Sequence, residues 1–514
     1  MNKHLYNEYI FLIFLGGATS LSLPPFNYFI INFLTFTLLF LFLVKKSESQ
    51  KNVIYFFLYG WLFGFGYFAS SLYWISISLT FDQSFKYLIP ITIILIPAFL
   101  GLFYGFITFC FIIIKSKKIV SAFISFSLIF GIIEFIRGFI LTGFPWNLIA
   151  YSFSNQIEVL SITSIIGTYG FNLLCISIFT SPAIIILRKS KKNIIISVLF
   201  LTLPLFFYIY GSSYKEKFNI ADEIKYDYKI RVVGSNIGLE RFYSNLDSVS
   251  VIEDLIEISN PIENEKTIFI WPEGILPDVS QAELINYNWL FKEKFSKNHL
   301  LVLGINSQTT NDGFKKYYNS LSIYDNNLNL LNFYNKINLV PFGEFLPFEN
   351  LLNQIGLKTV TNNYQSYSKG KVRKIIHINY KNFKLKILPL ICYEIIYSGK
   401  IFDNYNFDLI VNISEDGWFG NSIGPKQHFV HSIFRAVESG KYILRSANNG
   451  IAAIINPLGV VEQKVDYGKS GYVDFIESRV IKETIFSNFG NKIFGILILL
   501  YIFFIFSFNR ISNE

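Results

Sequence analysis

Three short segments of the chain each place a reactive or charged side chain just after an apolar run. They carry Glu273 in Ile-Trp-Pro-Glu-Gly, Lys336 in Tyr-Asn-Lys, and Cys392 in Leu-Pro-Leu-Ile-Cys-Tyr-Glu. Such a set suits acyl transfer, because a thiolate attacks a carbonyl, a carboxylate shuttles the proton and a cation stabilises the oxyanion. We therefore predict that Cys392 is the nucleophile and Glu273 the general base and later acid. Lys336 is then the oxyanion stabiliser, which would also lower the thiol pKa.

Each of these residues also has a plainer interpretation. A free cysteine at a strand end is commonly an inert buried thiol. Glu273 could cap a following helix or turn, and most lysines, Lys336 included, are solvated. We favour catalysis because the three segments occur together.

The cysteine and histidine content narrows the chemistry. Of three cysteines, Cys110 and Cys175 lie in apolar runs, so Cys392 is alone in the polar region and has no disulfide partner there. An isolated thiol on an oxidising side of a membrane calls for a chemical role. His428 and His431 are three positions apart, but no surrounding cysteines or carboxylates complete a zinc site. We expect packing roles for both histidines, and neither a metal nor an organic cofactor.

The composition indicates a membrane protein. The 514 residues are 52% hydrophobic, with a mean hydropathy of +0.40, which is too apolar for a soluble chain of this size. The net charge is +9, but the basic residues form short clusters between apolar runs, and we predict no nucleic-acid binding. Apolar runs long enough to cross a bilayer occur near residues 8–23, 26–44, 53–73, 88–114, 119–141, 158–187, 193–210 and 491–508.

Charges between these runs predict the topology. Alternate loops are basic and the intervening ones are nearly uncharged, which places the basic loops and both termini in the cytoplasm. The polar region between the seventh and eighth runs then faces the other side. We predict three parts: a transmembrane domain of about seven helices (1–214), an extracytoplasmic catalytic domain (215–485), and a transmembrane helix with a short cytoplasmic tail (486–514). The basic loops contain Lys45, Lys46 and Lys51, then Lys115, Lys117 and Lys118, then Arg188, Lys189, Lys191 and Lys192.

Strand and helix patterns alternate within residues 215–485, which predicts a layered α/β domain. Helical patterns cover Leu246–Ser259, Gln281–Phe295 and Pro425–Ser439. The predicted strands are Tyr228–Ile237, Lys266–Trp271, Leu300–Asn306, Tyr317–Tyr324, Lys384–Ile391, Phe407–Ile413, Tyr442–Ala447 and Ile451–Asn456.

Several ordered motifs resemble those of the nitrilase superfamily, whose Glu-Lys-Cys triad has the same order. More narrowly, they resemble its membrane branch, the bacterial apolipoprotein N-acyltransferases, over nearly the whole chain. The motifs are Leu141–Asn147, Trp271-Pro272-Glu273, the stretch from Lys336 to Glu344, Cys392-Tyr393-Glu394, Trp418-Phe419-Gly420 with Gly424-Pro425 and Gln427-His428, and Arg445–Gly450.

The resemblance implies an α/β fold class, with an αββα nitrilase-like sandwich domain on a polytopic helical membrane domain of about eight transmembrane helices. It implies transfer of an acyl chain from a phospholipid, through a thioester on Cys392, to the N-terminal diacylglyceryl-cysteine amine of an apolipoprotein. We expect a monomer in the inner membrane, with its catalytic domain on the periplasmic side. A lipid substrate also makes physical sense, because a soluble substrate would not require the membrane spans.

The resemblance further suggests that Glu344, Tyr393 and Glu394 support the site, with plain structural hydrogen bonding as the alternative. One departure is Glu415, where the family commonly has asparagine; it adds a carboxylate close to the predicted site.

Two residues could contact lipid or a neighbouring loop. Arg137 lies three positions after Glu134 toward the outer end of the fifth run, where charges are expensive. It could hold a phospholipid phosphate or a loop, or form a helix-surface salt bridge with Glu134. Trp418 lies in a glycine-flanked loop and could line an acyl-chain groove, or simply pack.

Two other functions remain open from sequence. A membrane-anchored nitrilase-type amidase would use the same triad with water as the acceptor. A transporter or receptor would need polar residues deep in several spans, whereas charges within the apolar runs are nearly confined to Glu134 and Arg137. The sequence therefore argues against a transporter.

Overall fold

The computed structural model describes residues 3–243, 247–311, 314–354, 359, 366–399, 401 and 406–510. The chain is helical up to residue 219, as expected where apolar segments must satisfy their backbone hydrogen bonds internally. These helices are α1 (Lys3–Ser20), α2 (Ile31–Ser49), α3 (Ile54–Leu72), α4 (Ile89–Ile114), α5 (Ile119–Arg137), α6 (Ile157–Leu160), α7 (Thr163–Thr180), α8 (Pro182–Leu187) and α9 (Lys191–Asn219).

Helices occur at all eight predicted apolar runs. Six helical segments of the described residues are long and apolar enough to cross a membrane, and α1 and α2 are not among them. The count of about eight spans and the domain limits therefore stay predictions. The apolar run at 158–187 divides into α6, α7 and α8. Within α7, Gly167 adopts φ 67°, and the ring of Phe486 occupies the place of a Cβ.

The rest of the chain carries the sheet and six further helices. The helices are α10 (Ser248–Ser259), α11 (Asn288–Lys294), α12 (Glu349–Gln354), α13 (Gly424–Ser439), α14 (Ile485–Phe489) and α15 (Lys492–Arg510). The strands are β1 (Glu223–Ser235), β2 (Thr267–Ile270), β3 (Leu276–Ser280), β4 (His299–Asn311), β5 (Phe314–Asp325), β6 (Leu330–Asn335), β7 (Ile376–Tyr380), β8 (Phe383–Ile391), β9 (Leu409–Glu415), β10 (Tyr442–Asn448), β11 (Ala452–Ile455), β12 (Val461–Val465) and β13 (Gly471–Arg479).

The strands form two connected sheets. One has the order β13-β1-β2-β4-β5-β6, with β3 paired beside β4, and the other has the order β12-β11-β10-β9-β8-β7. Strands β1, β2 and β4 are mutually parallel, as are β8, β9 and β10. The sheets join where Gly234 and Ser235, at the end of β1, pair with Ala447 and Asn448 of β10. The carboxyl ends of both parallel groups therefore meet at one place.

Alternation of apolar side chains explains the layers. Ile230 and Val232 of β1 share one buried cluster with Leu409 and Val411 of β9, so these faces pack sheet on sheet. The opposite faces pack on helices. In the first sheet Val233 belongs to a cluster with residues of α10 and α11, and the second sheet packs on α13 and the membrane helices. The predicted αββα sandwich on a helical membrane domain is confirmed.

All eight predicted strands are present, with small shifts at their ends. Five others, β3, β6, β7, β12 and β13, were not predicted, because short or half-exposed strands lack a continuous apolar run. Of the predicted helices, α13 and α10 are found, although residue 246 lies outside the described residues. Only the last part of the predicted helix Gln281–Phe295 is α-helical, as α11.

Candidate active site

The three predicted catalytic residues lie at strand ends. Lys336 directly follows β6 and Cys392 directly follows β8, while Glu273 comes three residues after β2. Strands β2 and β6 belong to one sheet and β8 to the other. The three side chains interact with one another, because Glu273 and Lys336 are in contact and both influence the thiol of Cys392. The structure thus brings together residues that are far apart in sequence.

A buried ammonium lies between two carboxylates at the centre of the site. Nζ of Lys336 donates to Oε1 of Glu273 at 2.9 Å and to Oε1 of Glu344 at 3.0 Å. Nδ2 of Asn319 donates to the same two oxygens, at 2.7 Å each. The N–H of Glu415 donates to Oε2 of Glu273 at 3.0 Å. The sequence predicted no role for Asn319. Its side chain on β5 reaches the two carboxylates near Lys336 because β5 pairs with β6.

The electrostatics of this cluster keep Lys336 charged. Burial opposes the charge, but the carboxylates of Glu273 and Glu344 outweigh it and raise the pKa of Lys336 well above its ordinary value. Burial raises the pKa of Glu344, although Lys336 acts against this rise. The raised pKa favours the charged ammonium form of Lys336.

Cys392 combines a strained backbone with a thiol that stays protonated. Its φ is 47°, which is unusual for a residue other than glycine and is typical of functional sites held by surrounding structure. Burial, followed by Glu273, raises the pKa of the thiol well above its ordinary value, and Lys336 lowers it only in part. Lys336 thus lowers the thiol pKa, as predicted, but burial is stronger than the cation and the net pKa is raised. Such a thiol needs a base at the moment of attack.

A second polar cluster, not predicted from sequence, lies behind Cys392. Nδ1 of His428 is 2.8 Å from Oδ1 of Asp416, and Nη2 of Arg445 donates to Oδ2 of Asp416 at 2.8 Å. Nε2 of His428 is 3.3 Å from the carbonyl oxygen of Cys392. Burial alone would raise the pKa of Asp416, but Arg445 and His428 lower it to about 2. The sequence analysis expected only a packing role for His428. The motif Gln427-His428 was the sequence feature that could have indicated its place near the site.

Glu394 holds the chain around the nucleophile. Its Oε2 accepts from the N–H of Ile391 at 2.9 Å. Its Oε1 accepts from the hydroxyl of Tyr334 at 2.8 Å and from the N–H groups of Ile337 and Asn338 at 2.9 and 3.1 Å. Glu394 therefore ties the end of β8 to the side chain of Tyr334 and to the backbone just after Lys336. This arrangement favours the structural interpretation over direct chemistry.

We expect Glu394→Gln to destabilise the protein by about 3 kcal/mol, because an amide nitrogen would face N–H donors where a buried carboxylate oxygen now accepts them. Arg373, which donates to Oε1 at 3.0 Å, would lose its partner charge. The thermal unfolding midpoint of the detergent-purified chain measures this effect. Glu253→Gln, on the exposed face of α10, is the matched control and should leave the midpoint unchanged. An unchanged midpoint in Glu394→Gln would contradict the assignment.

Tyr393 connects the nucleophile to the membrane part. Its hydroxyl donates to the carbonyl of Gly143 at 3.0 Å, and Tyr397 donates to the carbonyl of Thr142 at 2.9 Å. Helix α13 adds further contacts, since Oε1 of Gln427 accepts from Nε1 of Trp146 at 2.9 Å. The catalytic domain is therefore docked on the loop after α5 through specific hydrogen bonds.

Arg137 and Trp418 also lie between the two parts. Nε of Arg137 donates to Glu134 at 2.9 Å, and Nη1 donates to the carbonyl of Phe144. The salt bridge with Glu134 is present, but both side chains are almost fully buried instead of lying on the helix surface. Arg137 also contacts the neighbouring loop through Phe144. The half-buried ring of Trp418 is 5.0 Å from that of Phe242, and it also contacts a ring from the membrane part. A lipid contact for either residue stays a prediction.

The backbone of Glu273 is packed tightly against Gly304 on β4. A Cβ at Gly304 would lie 2.5 Å from Cα of Glu273, so Gly304→Ala must displace the strand end that carries Glu273. We expect this change to lower the rate of thioester formation by roughly 10²-fold, because small displacements of reacting groups are costly. Gly495→Ala, in α15 with open space around it, is the control. Single-turnover kinetics per folded enzyme checks the difference, and equal rates would contradict it.

Comparisons with known proteins identify the family of the chain. Residues 15–180 match the family model described as the apolipoprotein N-acyltransferase N-terminal domain, and residues 291–474 match the carbon-nitrogen hydrolase model. The apolipoprotein N-acyltransferase of Rickettsia prowazekii (strain Madrid E) is 34% identical over 508 residues, covering 95% of each chain. The chain belongs to the apolipoprotein N-acyltransferase family. The family member of Rhizobium leguminosarum is 31% identical, covering 89% of this chain and 88% of its own.

Two solved structures are similar to about half of this apolipoprotein N-acyltransferase family member. The amidase from Nesterenkonia sp. AN1 is 13% identical with a TM-score of 0.33, covering 50% of this chain and 93% of the amidase. Saccharomyces cerevisiae Nit3, of the nitrilase superfamily, is 14% identical with a TM-score of 0.33, covering 48% of this chain and 90% of Nit3. The family membership makes the chain an acyltransferase with a nitrilase-like catalytic domain.

Proposed function

We propose that the chain takes a fatty acyl group from a membrane phospholipid as a thioester on Cys392 and passes it to an apolipoprotein. The acceptor is the N-terminal amine of diacylglyceryl-cysteine. The observation that carries this proposal is the buried ammonium of Lys336 within 3.0 Å of the Glu273 and Glu344 carboxylates. Lys336 and Cys392 each come directly after a strand, β6 and β8 respectively. The cluster supplies a base, a cation and a nucleophile.

The first step forms the thioester. Glu273 accepts the thiol proton as Sγ of Cys392 attacks the ester carbonyl of the phospholipid. An ammonium has three N–H donors, and two of those on Lys336 are directed at carboxylates. We assign the third donor to the oxyanion of the tetrahedral intermediate. When the intermediate collapses, the carbon–oxygen bond breaks and the lysophospholipid alkoxide takes the proton from Glu273.

The second step forms the amide. The neutral amine of the acceptor attacks the thioester carbonyl, and Glu273 accepts a proton from the attacking nitrogen. Lys336 again stabilises the oxyanion. The carbon–sulfur bond then breaks, and the departing thiolate recovers the proton from Glu273. Because both steps pass through the same thioester on Cys392, the kinetics should be ping-pong.

We place the catalytic domain on the periplasmic face of the inner membrane, in a monomer. The basic loops next to the apolar runs, such as those with Lys45 and Lys117, support this orientation through the positive-inside rule. The docking of Tyr393 and α13 on the loop after α5 supports a site close to the bilayer surface, where a lipid ester is available.

Mass spectrometry tests the proposal directly. Purified protein incubated with phospholipid vesicles should gain one acyl chain on the peptide that contains Cys392. A diacylated lipopeptide added afterwards should remove this acyl chain and gain it as an amide. Absence of acyl uptake from phospholipid, together with hydrolysis of small amides, would instead favour the amidase.

A further inference from the structure

A buried ion pair lies beside the catalytic cluster. Nη2 of Arg241 donates to Oε2 of Glu415, and each side chain is only 2% exposed. Nδ2 of Asn448 donates to the same oxygen at 2.7 Å, and the N–H of Gly417 donates to Oε1 at 2.8 Å. The Glu415 carboxylate is therefore held by the loop after β1, by the end of β10 and by its own turn.

The same residue contacts the proposed base through its main chain. The N–H of Glu415 donates to Oε2 of Glu273 at 3.0 Å. Arg241 in turn organises its own loop, because Nη1 donates to the carbonyls of Gly238 at 2.6 Å and Ile237 at 3.1 Å. A continuous set of hydrogen bonds thus runs from the loop after β1, through the ion pair, to the carboxylate of Glu273.

Arg241 also packs against the ring of Phe242, which lies beside the ring of Trp418 next to the site. The guanidinium carbon of Arg241 lies 4.7 Å from the centroid of the adjacent Phe242 ring. That ring is 5.0 Å from the Trp418 ring, and its Cζ would be 3.7 Å from a Cβ at Gly274. Movement of Arg241 would therefore disturb Phe242, which lies close to Gly274, the residue after Glu273.

We infer that Arg241 and Glu415 form a positioning pair that orients the carboxylate of Glu273 toward the Cys392 thiol. The inference rests on the proposed function, because it takes Glu273 as the base. A buried carboxylate at position 415 needs a cation, and Arg241 supplies it. Each charge alone would be buried without compensation, so the two residues must act as a unit.

The test measures how fast iodoacetamide alkylates Cys392, followed by mass spectrometry of its peptide, with no lipid present. The thiol must lose its proton to react, so the rate reports the orientation of Glu273. We expect Arg241→Met or Glu415→Asn alone to slow alkylation by roughly tenfold or more. The double variant R241M/E415N removes both charges and should recover the original rate to within about threefold.

A matched pair elsewhere in the domain separates positioning from stability. Arg231 on β1 is 4% exposed and bonds Asp474 at 2.7 Å. We expect Arg231→Met to lower the thermal midpoint while leaving the alkylation rate of Cys392 unchanged. If the single variants at positions 241 and 415 do not fold, Arg241→Gln and Glu415→Gln replace them. Each removes one charge but keeps a polar side chain, and the same measurement should show the same loss.

The possible outcomes are distinct. Unchanged alkylation in folded single variants, or a double variant as slow as the single ones, would overturn the positioning pair. Alkylation that depends on the pair, in a protein that takes no acyl group from phospholipid, would leave the pair standing and remove the proposed function. Normal acyl transfer, with no effect of the changes at positions 241 and 415, would leave the proposed function standing and overturn the positioning pair.

Discussion

Replacing Cys392 by alanine is expected to abolish both acyl uptake and acyl transfer, while the protein stays folded. The side chain supplies the only protein atom in our scheme that bonds to the acyl group. The backbone at Cys392 is held by Glu394 and by the cluster around Asp416, so the truncation should leave the strand end in place. Mass spectrometry after incubation with phospholipid, with and without diacylated lipopeptide, measures both steps.

Cys110→Ala is the control for Cys392→Ala. Cys110 is the partly exposed cysteine of α4, outside the catalytic domain, and its removal should leave both steps at the original rate. Acylated lipopeptide formed by the Cys392→Ala protein would show that the nucleophile lies elsewhere, and it would end the thioester scheme.

Replacing Glu273 by glutamine should lower the rate of thioester formation by roughly 10²- to 10⁴-fold, the usual contribution of a general base. Glutamine keeps the shape and can still accept from Lys336, but it cannot take up the thiol proton. Because Glu273 itself contributes to the raised pKa of the Cys392 thiol, its removal also eases ionisation of that thiol. Single-turnover acylation with phospholipid vesicles measures the loss.

The pH dependence makes this prediction sharper. The thiol pKa lies well above its ordinary value, so at neutral pH the original enzyme depends on the base. As pH rises toward the thiol pKa, the thiol ionises without help, and the deficit of Glu273→Gln should shrink. Glu263→Gln, at an exposed position, is the control and should follow the original profile at every pH. A deficit that is constant from neutral to alkaline pH would contradict a proton-transfer role for Glu273.

The local patterns of the sequence predicted much of the architecture. Apolar runs located the helices, and short β-rich runs located eight strands, because these periodicities depend only on neighbouring residues. The triad was predictable for the same reason, since Glu273, Lys336 and Cys392 each stand at the end of an apolar run in a recognisable motif. Short edge strands such as β6 and β12 were not predicted, because polar residues interrupt their apolar runs.

The sequence by itself determined which residues could do the chemistry, and it identified the membrane as their environment. Only the tertiary structure decided their partners: Asn319 bridging two carboxylates, His428 and Asp416 behind Cys392, and Arg241 paired with Glu415. These contacts join segments that meet only when β1 and β10 align and the two sheets pack. A sequence pattern records what a residue is and what lies next to it, whereas hydrogen-bond distances across a sheet depend on strand order and register, which no local pattern encodes.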